Sequence, residues 1–213
     1  MKRVAAFFSI VAIVVVSVAQ STFAQTAKEL FSSTETPVTY LGIDFSQARL
    51  INDAGASATD LKEKHFPGIN QVVINEPKKY DLAKAFKKPI TNDISVTEKV
   101  NAKIDADKIK SSNSSDESRL KESDIQKLVN DYDLSGKKGV GLVFIMEGLN
   151  KPGAKGSMYV TFIDMGTRKV IFTERMTGKA GGFGYKNYWA KSVFEVLEDI
   201  EKKKYKEWRN KHA

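Results

Sequence analysis

Four glycines fall within seven residues, at Gly178, Gly181, Gly182 and Gly184, directly after an apolar run and directly before a long amphipathic stretch. A glycine turn that opens a helix can hold an anion, because the first N–H groups of the helix are unpaired and its dipole is positive at that end. The spacing does not suit a nucleotide. A loop of the form G-x-x-x-x-G-K-[ST] needs a Lys-Ser or Lys-Thr pair after the glycines, and none follows; a dinucleotide loop needs glycine where Asn187 stands. The plainer reading is a turn in which glycines supply positive φ and close backbone approach. Gly181, Gly182 and Gly184, together with Lys179, Tyr185, Lys186 and Asn187, then make the candidate binding surface, with an anion or glycan contact as the sharper alternative. The aromatic residues around the loop, Phe183, Tyr185, Tyr188 and Trp189, are expected to fold onto the sheet.

Little else in the chain could carry chemistry. Glu147, Asp164 and Glu174 stand on or beside apolar runs and are the raw material of a paired-carboxylate glycosidase, if neighbouring strands brought them together. The stretch Asp131-Tyr-Asp133-Leu-Ser135-Gly136 copies the first half of a calcium loop, but position 12 is Leu142 where a bidentate glutamate is required. His65 sits beside Phe66-Pro67 and His212 near the end of the chain, and neither G-x-S-x-G nor H-E-x-x-H occurs. The chain has no cysteine, which excludes disulfides, thiolate metal sites and a catalytic thiol. The expectation is a protein that is not an enzyme and uses neither cofactor nor metal.

The elements that must position these residues are legible in part. Val38 to Phe45 is rich in β-branched and aromatic residues and reads as the first strand. Helical patterning from Ser57 is interrupted at Pro67 and Pro77, which predicts two or three short helices. The run from Ile94 to Ile104 alternates and reads as a strand. Residues 105–122 are dominated by serine, lysine and acids and read as a polar excursion. A capping box at Ser123 and Gln126 starts a helix near Asp124, and Gly139 to Met146 is apolar enough to be a central strand covered on both faces. A hairpin follows around Met165-Gly166-Thr167. The last helix places Trp189, Val193, Val196, Leu197, Ile200 and Trp208 on one stripe. This order predicts a single α+β domain over residues 37–213, a mixed, mostly antiparallel sheet of about five strands packed by helices, with the C-terminal amphipathic helix on the sheet.

The first 24 residues have the layout of a signal peptide: Lys2 and Arg3, an uncharged run of 16 residues from Val4 to Ala19, and a small-residue site at Thr22-Phe23-Ala24. Residues 25–36 read as a flexible lead-in. Cleavage would remove two basic and no acidic side chains, taking the net charge from +8 to +6. No second hydrophobic stretch follows, so the mature chain is expected to lack an integral membrane segment and to be periplasmic or extracellular. Export argues against nucleic acid as a partner of the basic tail Glu201 to His212, whose interleaved Tyr205 and Trp208 would suit an acidic envelope polymer.

The strand Val38 to Ser46, the hairpin and glycines from Val160 to Gly184, and Asn187 to Leu197 together resemble a pattern in small bacterial envelope proteins. That group includes the periplasmic domain of the curli secretion channel and lipoproteins that activate peptidoglycan synthases; the chain also looks like uncharacterised secreted proteins of gut bacteria. The resemblance implies a sheet packed by helices and a role in binding another protein. The lipidated cysteine those lipoproteins carry is missing, and no site residue carries over. The expected function is therefore binding, most simply to an envelope protein, with a hydrolase acting on a glycan or peptide through Glu147 and Glu174 as the alternative.

Overall fold

The computed structural model describes residues 26–213, so the signal-peptide expectation lies outside the described residues. At its centre is β5 (Val140–Asn150), in which every residue from Val140 to Leu149 is buried, as a strand covered on both faces requires. One edge of β5 pairs antiparallel with β6 (Lys155–Asp164), which pairs antiparallel with β7 (Lys169–Lys179). The other edge pairs parallel with two strands in succession: β1 (Val38–Asp44) against its first half and β2 (Arg49–Ile51) against its end. Beyond them, β3 (Ile90–Asn92) lies parallel to β1, and β4 (Lys110–Ser111) parallel to β2.

The sheet thus has seven strands, and the five in the order β3-β1-β5-β2-β4 are all parallel. The fold is α/β, which overturns the expected α+β arrangement with a mostly antiparallel sheet of about five strands. The cause lies in the connections. The helices α2 (Ala58–Asp60), α3 (Phe66–Asn75) and α4 (Leu82–Phe86) lead from β2 to β3, α5 (Ser95–Asn101) from β3 to β4, and α6 (Glu122–Asn130) from β4 to β5. A helical crossover returns the next strand in the same direction. The expected strand from Ile94 to Ile104 would lack this crossover; the segment instead contains α5.

Helix wins in that segment because its core-facing residues include polar ones. The Thr97 hydroxyl donates to the Leu41 carbonyl at 2.6 Å. The Asn101 amide donates to the Ile43 carbonyl at 2.9 Å and accepts from the Phe45 N–H at 2.7 Å, while Asn70 on α3 does the same to both backbone groups of Ile43. Between the short strands β3 and β4, side-chain amides therefore stand in for a neighbouring strand and satisfy the free edge of β1. Gly42, at a φ of +93°, gives them room; a Cβ there would come within 2.4 Å of the Thr97 hydroxyl.

Two apolar layers close the sheet. Helices α1 (Ala27–Ser32), α3, α4, α7 (Tyr185–Asp199) and α8 (Tyr205–His212) bury residues such as Phe31, Phe66, Phe86, Trp189 and Trp208 on one face. On the other face, α5 and α6 cover Leu41, Val143, Ile145 and Tyr159. Each such apolar side chain contributes about 1.5–3 kcal/mol by leaving water. A π-helical turn, Ile200–Lys204, joins α7 to α8, with the Tyr205 N–H bonded to the Ile200 carbonyl. The extra residue in that turn keeps both Ile200 and Tyr205 on the buried stripe, at a spacing of five. A second π-turn, Leu61–His65, comes just before Pro67, where a wider turn relieves the missing N–H and the ring's crowding of the preceding carbonyls.

Within residues 25–36, Ala27–Ser32 form a helix rather than a flexible lead-in, opened by a capping box between Thr26 and Glu29. Leu30 and Phe31 are buried, and the Phe31 ring lies 5.1 Å from Phe172 and 6.0 Å from Trp208. The buried Lys88 ammonium, lowered to about 8 by desolvation, donates to the Leu30 carbonyl at 2.6 Å and the Ser33 carbonyl at 2.5 Å. Lys88→Met is expected to orphan both carbonyls and weaken the local docking of α1 by about 2–3 kcal/mol. Faster amide exchange at Leu30 to Ser33, with β5 and β6 unchanged, is the readout; unchanged exchange in α1 refutes it.

Candidate functional site: the rim at the carboxyl ends of the strands

β2, β4, β5 and β7 all end at the same edge of the sheet, where the loop after β2, the β5–β6 turn and the glycine loop after β7 meet. The Ala180 N–H donates to the Ala154 carbonyl at 2.7 Å, tying the glycine loop to the β5–β6 turn. In open sheets with parallel strands, the carboxyl ends are where loops form ligand crevices. A cleft of 450 Å³ opens on this rim between the loop after β2 and α7, lined among others by Asp53, Ser57, Asp60, His65, Lys151 and Tyr185.

The glycine loop reverses the chain between β7 and α7. Gly182 (φ +102°) and Gly184 (φ +81°) adopt backbone angles that disfavour other residues, and nothing stands within 4 Å of where their Cβ atoms would be. They serve the turn's conformation, then, and not a close contact. The Gly181 N–H donates to the Tyr188 carbonyl and the Tyr188 N–H to the Gly184 carbonyl, which closes the loop onto the first turn of α7. Gly184 is the N-cap of α7 and offers no side chain to the helix's first N–H groups.

Of the residues singled out from the sequence, Tyr185 is the best positioned. Its ring lies 4.6 Å from His65, its hydroxyl donates to Asp53 at 3.4 Å, and burial pushes its pKa up to about 12. Lys186 lies against Gly68, where a Cβ would approach its Cδ to 2.9 Å. Lys179 and Asn187 are exposed on the same rim, Lys179 beside Lys155 in the β6–β7 register. Sequence spacing gave no sign of Lys151, whose ammonium stands 3.9 Å over the Tyr188 ring and 5.9 Å from both Tyr185 and Trp189. Such cation–π contact is worth about 0.5–2 kcal/mol and holds the β5–β6 turn against α7.

The aromatic residues divide differently from the expectation. Trp189 is fully buried and Tyr185 and Tyr188 half-buried, but Phe183, expected on the sheet, is 97% exposed. It is the apex of the loop, between the two positive-φ glycines. Among the described residues no other large apolar side chain is so displayed.

The carboxylates of the hydrolase alternative are kept apart. Glu147 is buried on the α6 side of the sheet, accepting from the Arg175 guanidinium and from the Leu120 N–H, both at 2.6 Å. Glu174, next to Arg175 on β7, points to the opposite face and accepts from the Trp208 indole at 2.5 Å and the Lys204 ammonium at 2.8 Å. Asp164 caps the β6–β7 turn through the Gly166 and Thr167 N–H groups. A sheet separates the first two, so they cannot share a substrate. In the C-terminal tail, Tyr205 and Trp208 are buried, which removes the aromatic half of the polymer-binding face expected there. Asp133, from the calcium-like stretch, pairs with Lys99 at 2.8 Å.

The polar excursion at 105–122 is built into the fold as a strap. The Glu117 carbonyl accepts from the Ser157 hydroxyl at 2.7 Å and from Arg175, and the Leu120 carbonyl accepts from the Tyr159 hydroxyl at 2.7 Å. The Glu117 carboxylate takes Asn150 at 2.6 Å and Lys155 at 3.0 Å. No helix among the described residues is long and apolar enough to cross a membrane. Compared with protein-family models and with curated proteins, the chain matches none.

Proposed function

We propose that the protein is a non-catalytic, exported envelope protein, periplasmic or extracellular, and that it works by binding another protein through the glycine-loop rim. The observation that carries this reading is Phe183. A phenylalanine left in water forgoes about 2 kcal/mol of burial, and here two glycines with positive φ hold it outward at a loop apex. Lys179, Lys186 and Asn187, all exposed, stand within four positions of it, so the loop has an apolar anchor with hydrophilic residues on either side, the usual anatomy of a contact patch. Tyr185 and Lys151, clamped by their stacking and hydrogen bonds, give the loop a rigid base, which lowers the entropy lost on association.

A photo-crosslinking residue at position 183, in the cells that make the protein, is expected to capture one defined protein. The same probe at the exposed Lys127 of α6, on the opposite face of the sheet, is expected to capture none. Phe183→Ser should weaken the isolated complex by about 10-fold or more, the scale of a buried aromatic anchor, without changing thermal stability. Equal capture from both positions, or no capture at 183, would overturn the reading.

A further inference from the structure

A second cleft, of 510 Å³, lies away from the rim, where β1 gives way to β2 and the edge strands β3 and β4 leave a gap. Its walls include the half-buried Val100 of α5 and Leu128 of α6, with Ile104 and Ile109 buried behind them. The volume is within the range of small-molecule sites, about 300–1,000 Å³.

The charged groups along the cleft are not equally engaged. Asp44 is fully buried, and its carboxyl oxygens accept from the Tyr132 hydroxyl at 2.6 Å and the Ser46 N–H at 2.7 Å. Asp105 pairs with Lys108 at 3.3 Å. Asp131 is exposed at the mouth. Lys103 is likewise exposed and, like Asp131, forms no ion pair among the described residues. Arg49 differs in being half-buried without an ion pair among the described residues, and the one hydrogen bond its side chain makes runs from Nη1 to the Ala48 carbonyl at 3.1 Å. Burial, and then the neighbouring Arg119 guanidinium, disfavour its charge, while Asp116 opposes them only weakly. Asp116 is itself taken up by the Ser111 hydroxyl at 2.7 Å and the Asn113 amide at 3.3 Å. A half-buried guanidinium crowded by a second one, with free donors and apolar walls beside it, is an arrangement that an anion with an apolar body completes. Arginine's planar fork suits a carboxylate in particular.

We infer that this cleft binds a small organic acid, its apolar body against Val100, Leu128, Ile104 and Ile109 and its carboxylate on Arg49. Acyl chains and the carboxyl termini of apolar peptides share that chemistry. The site is separate from Phe183, so Phe183→Ser leaves it intact and the two readings fail independently.

Calorimetric titration of the purified protein with octanoate tests this. The wild type is expected to bind with a dissociation constant below about 1 mM, and Arg49→Gln to weaken binding by about 10-fold or more. Octanamide, which keeps the chain and lacks the charge, should bind the wild type about 10-fold more weakly than octanoate, and this comparison stands even if Arg49→Gln does not fold. In a second arm, N-acetylleucine binding more tightly than octanoate assigns the cleft to peptide termini, and the reverse order assigns it to acyl chains. Octanamide binding as well as octanoate, no binding of either acid, or an unchanged affinity in a folded Arg49→Gln protein would each sink the inference.

Discussion

Gly178→Ala is expected to cost more than about 4 kcal/mol of stability, a loss at the extreme of single substitutions. A Cβ at Gly178 would lie 1.9 Å from the Ser192 carbonyl oxygen and 2.8 Å from its carbonyl carbon. Both are backbone atoms of α7, so no rotamer change can relieve the clash, and the helix must move as a body. Gly178 pairs with Gly156 across β6 and β7, and the two form a flat patch on which α7 rests. Lifting the helix there loosens Trp189, Val193 and Val196, all fully buried. Gly156→Ala provides the internal control. Its Cβ would meet the Ser192 hydroxyl at 2.5 Å, which rotation can relieve, and the Ser192 Cβ at 2.9 Å, which asks only for a small shift, so the cost should be smaller. Denaturant midpoints of the two variants decide the matter. A Gly178→Ala protein within about 1 kcal/mol of wild type would mean that α7 is not seated on this patch.

Arg175→Leu is expected to destabilise by about 3–5 kcal/mol, because it removes the cation from a fully buried carboxylate. Glu147 keeps only the Leu120 N–H as a partner, and the Glu117 carbonyl loses the Arg175 donor that holds down the strap. The loss should therefore show in two ways. Global stability falls, and residues 112–119 become the first site of proteolytic nicking. Replacing Glu147 by leucine as well is expected to restore part of the loss, since removing both members of a buried pair costs less than leaving one. An Arg175→Leu protein as stable as wild type and uncut in the strap would contradict the assigned role of the pair. Surface pairs such as Lys64–Asp60 at 2.7 Å are not expected to behave in this way, because solvent screens them.

The local pattern of the chain determined a good deal. The β-branched run of β1, the unbroken apolar stretch of β5, the alternation of β7 and the stripe of α7 each state how one segment meets the core, and all four are formed at those places. Glycines in the loop after β7 likewise announced a turn, and Gly182 and Gly184 have the positive φ that only glycine adopts freely.

Tertiary structure alone decided the rest. Strand direction depends on what each crossover contains. The alternation of Ile94, Val96 and Val100 suits a strand as well as a helix until Thr97 and Asn101 are seen hydrogen-bonding β1 from 56 to 58 residues away. The serine-rich strap reads as excursion because it has few apolar residues, but it is held by donors on β5, β6 and β7. Glu174 adjoins Arg175 in sequence and Glu147 pairs with it from β5, and the two acids still lie on opposite faces of the sheet. Lys151, His65 and Asp53 join Tyr185 only because β2, β5 and β7 end at one edge. Hydrophobic periodicity reports how a segment lies against an unspecified core. Which polar group is buried, and which phenylalanine is left in water, depends on the partner that the rest of the chain brings to it.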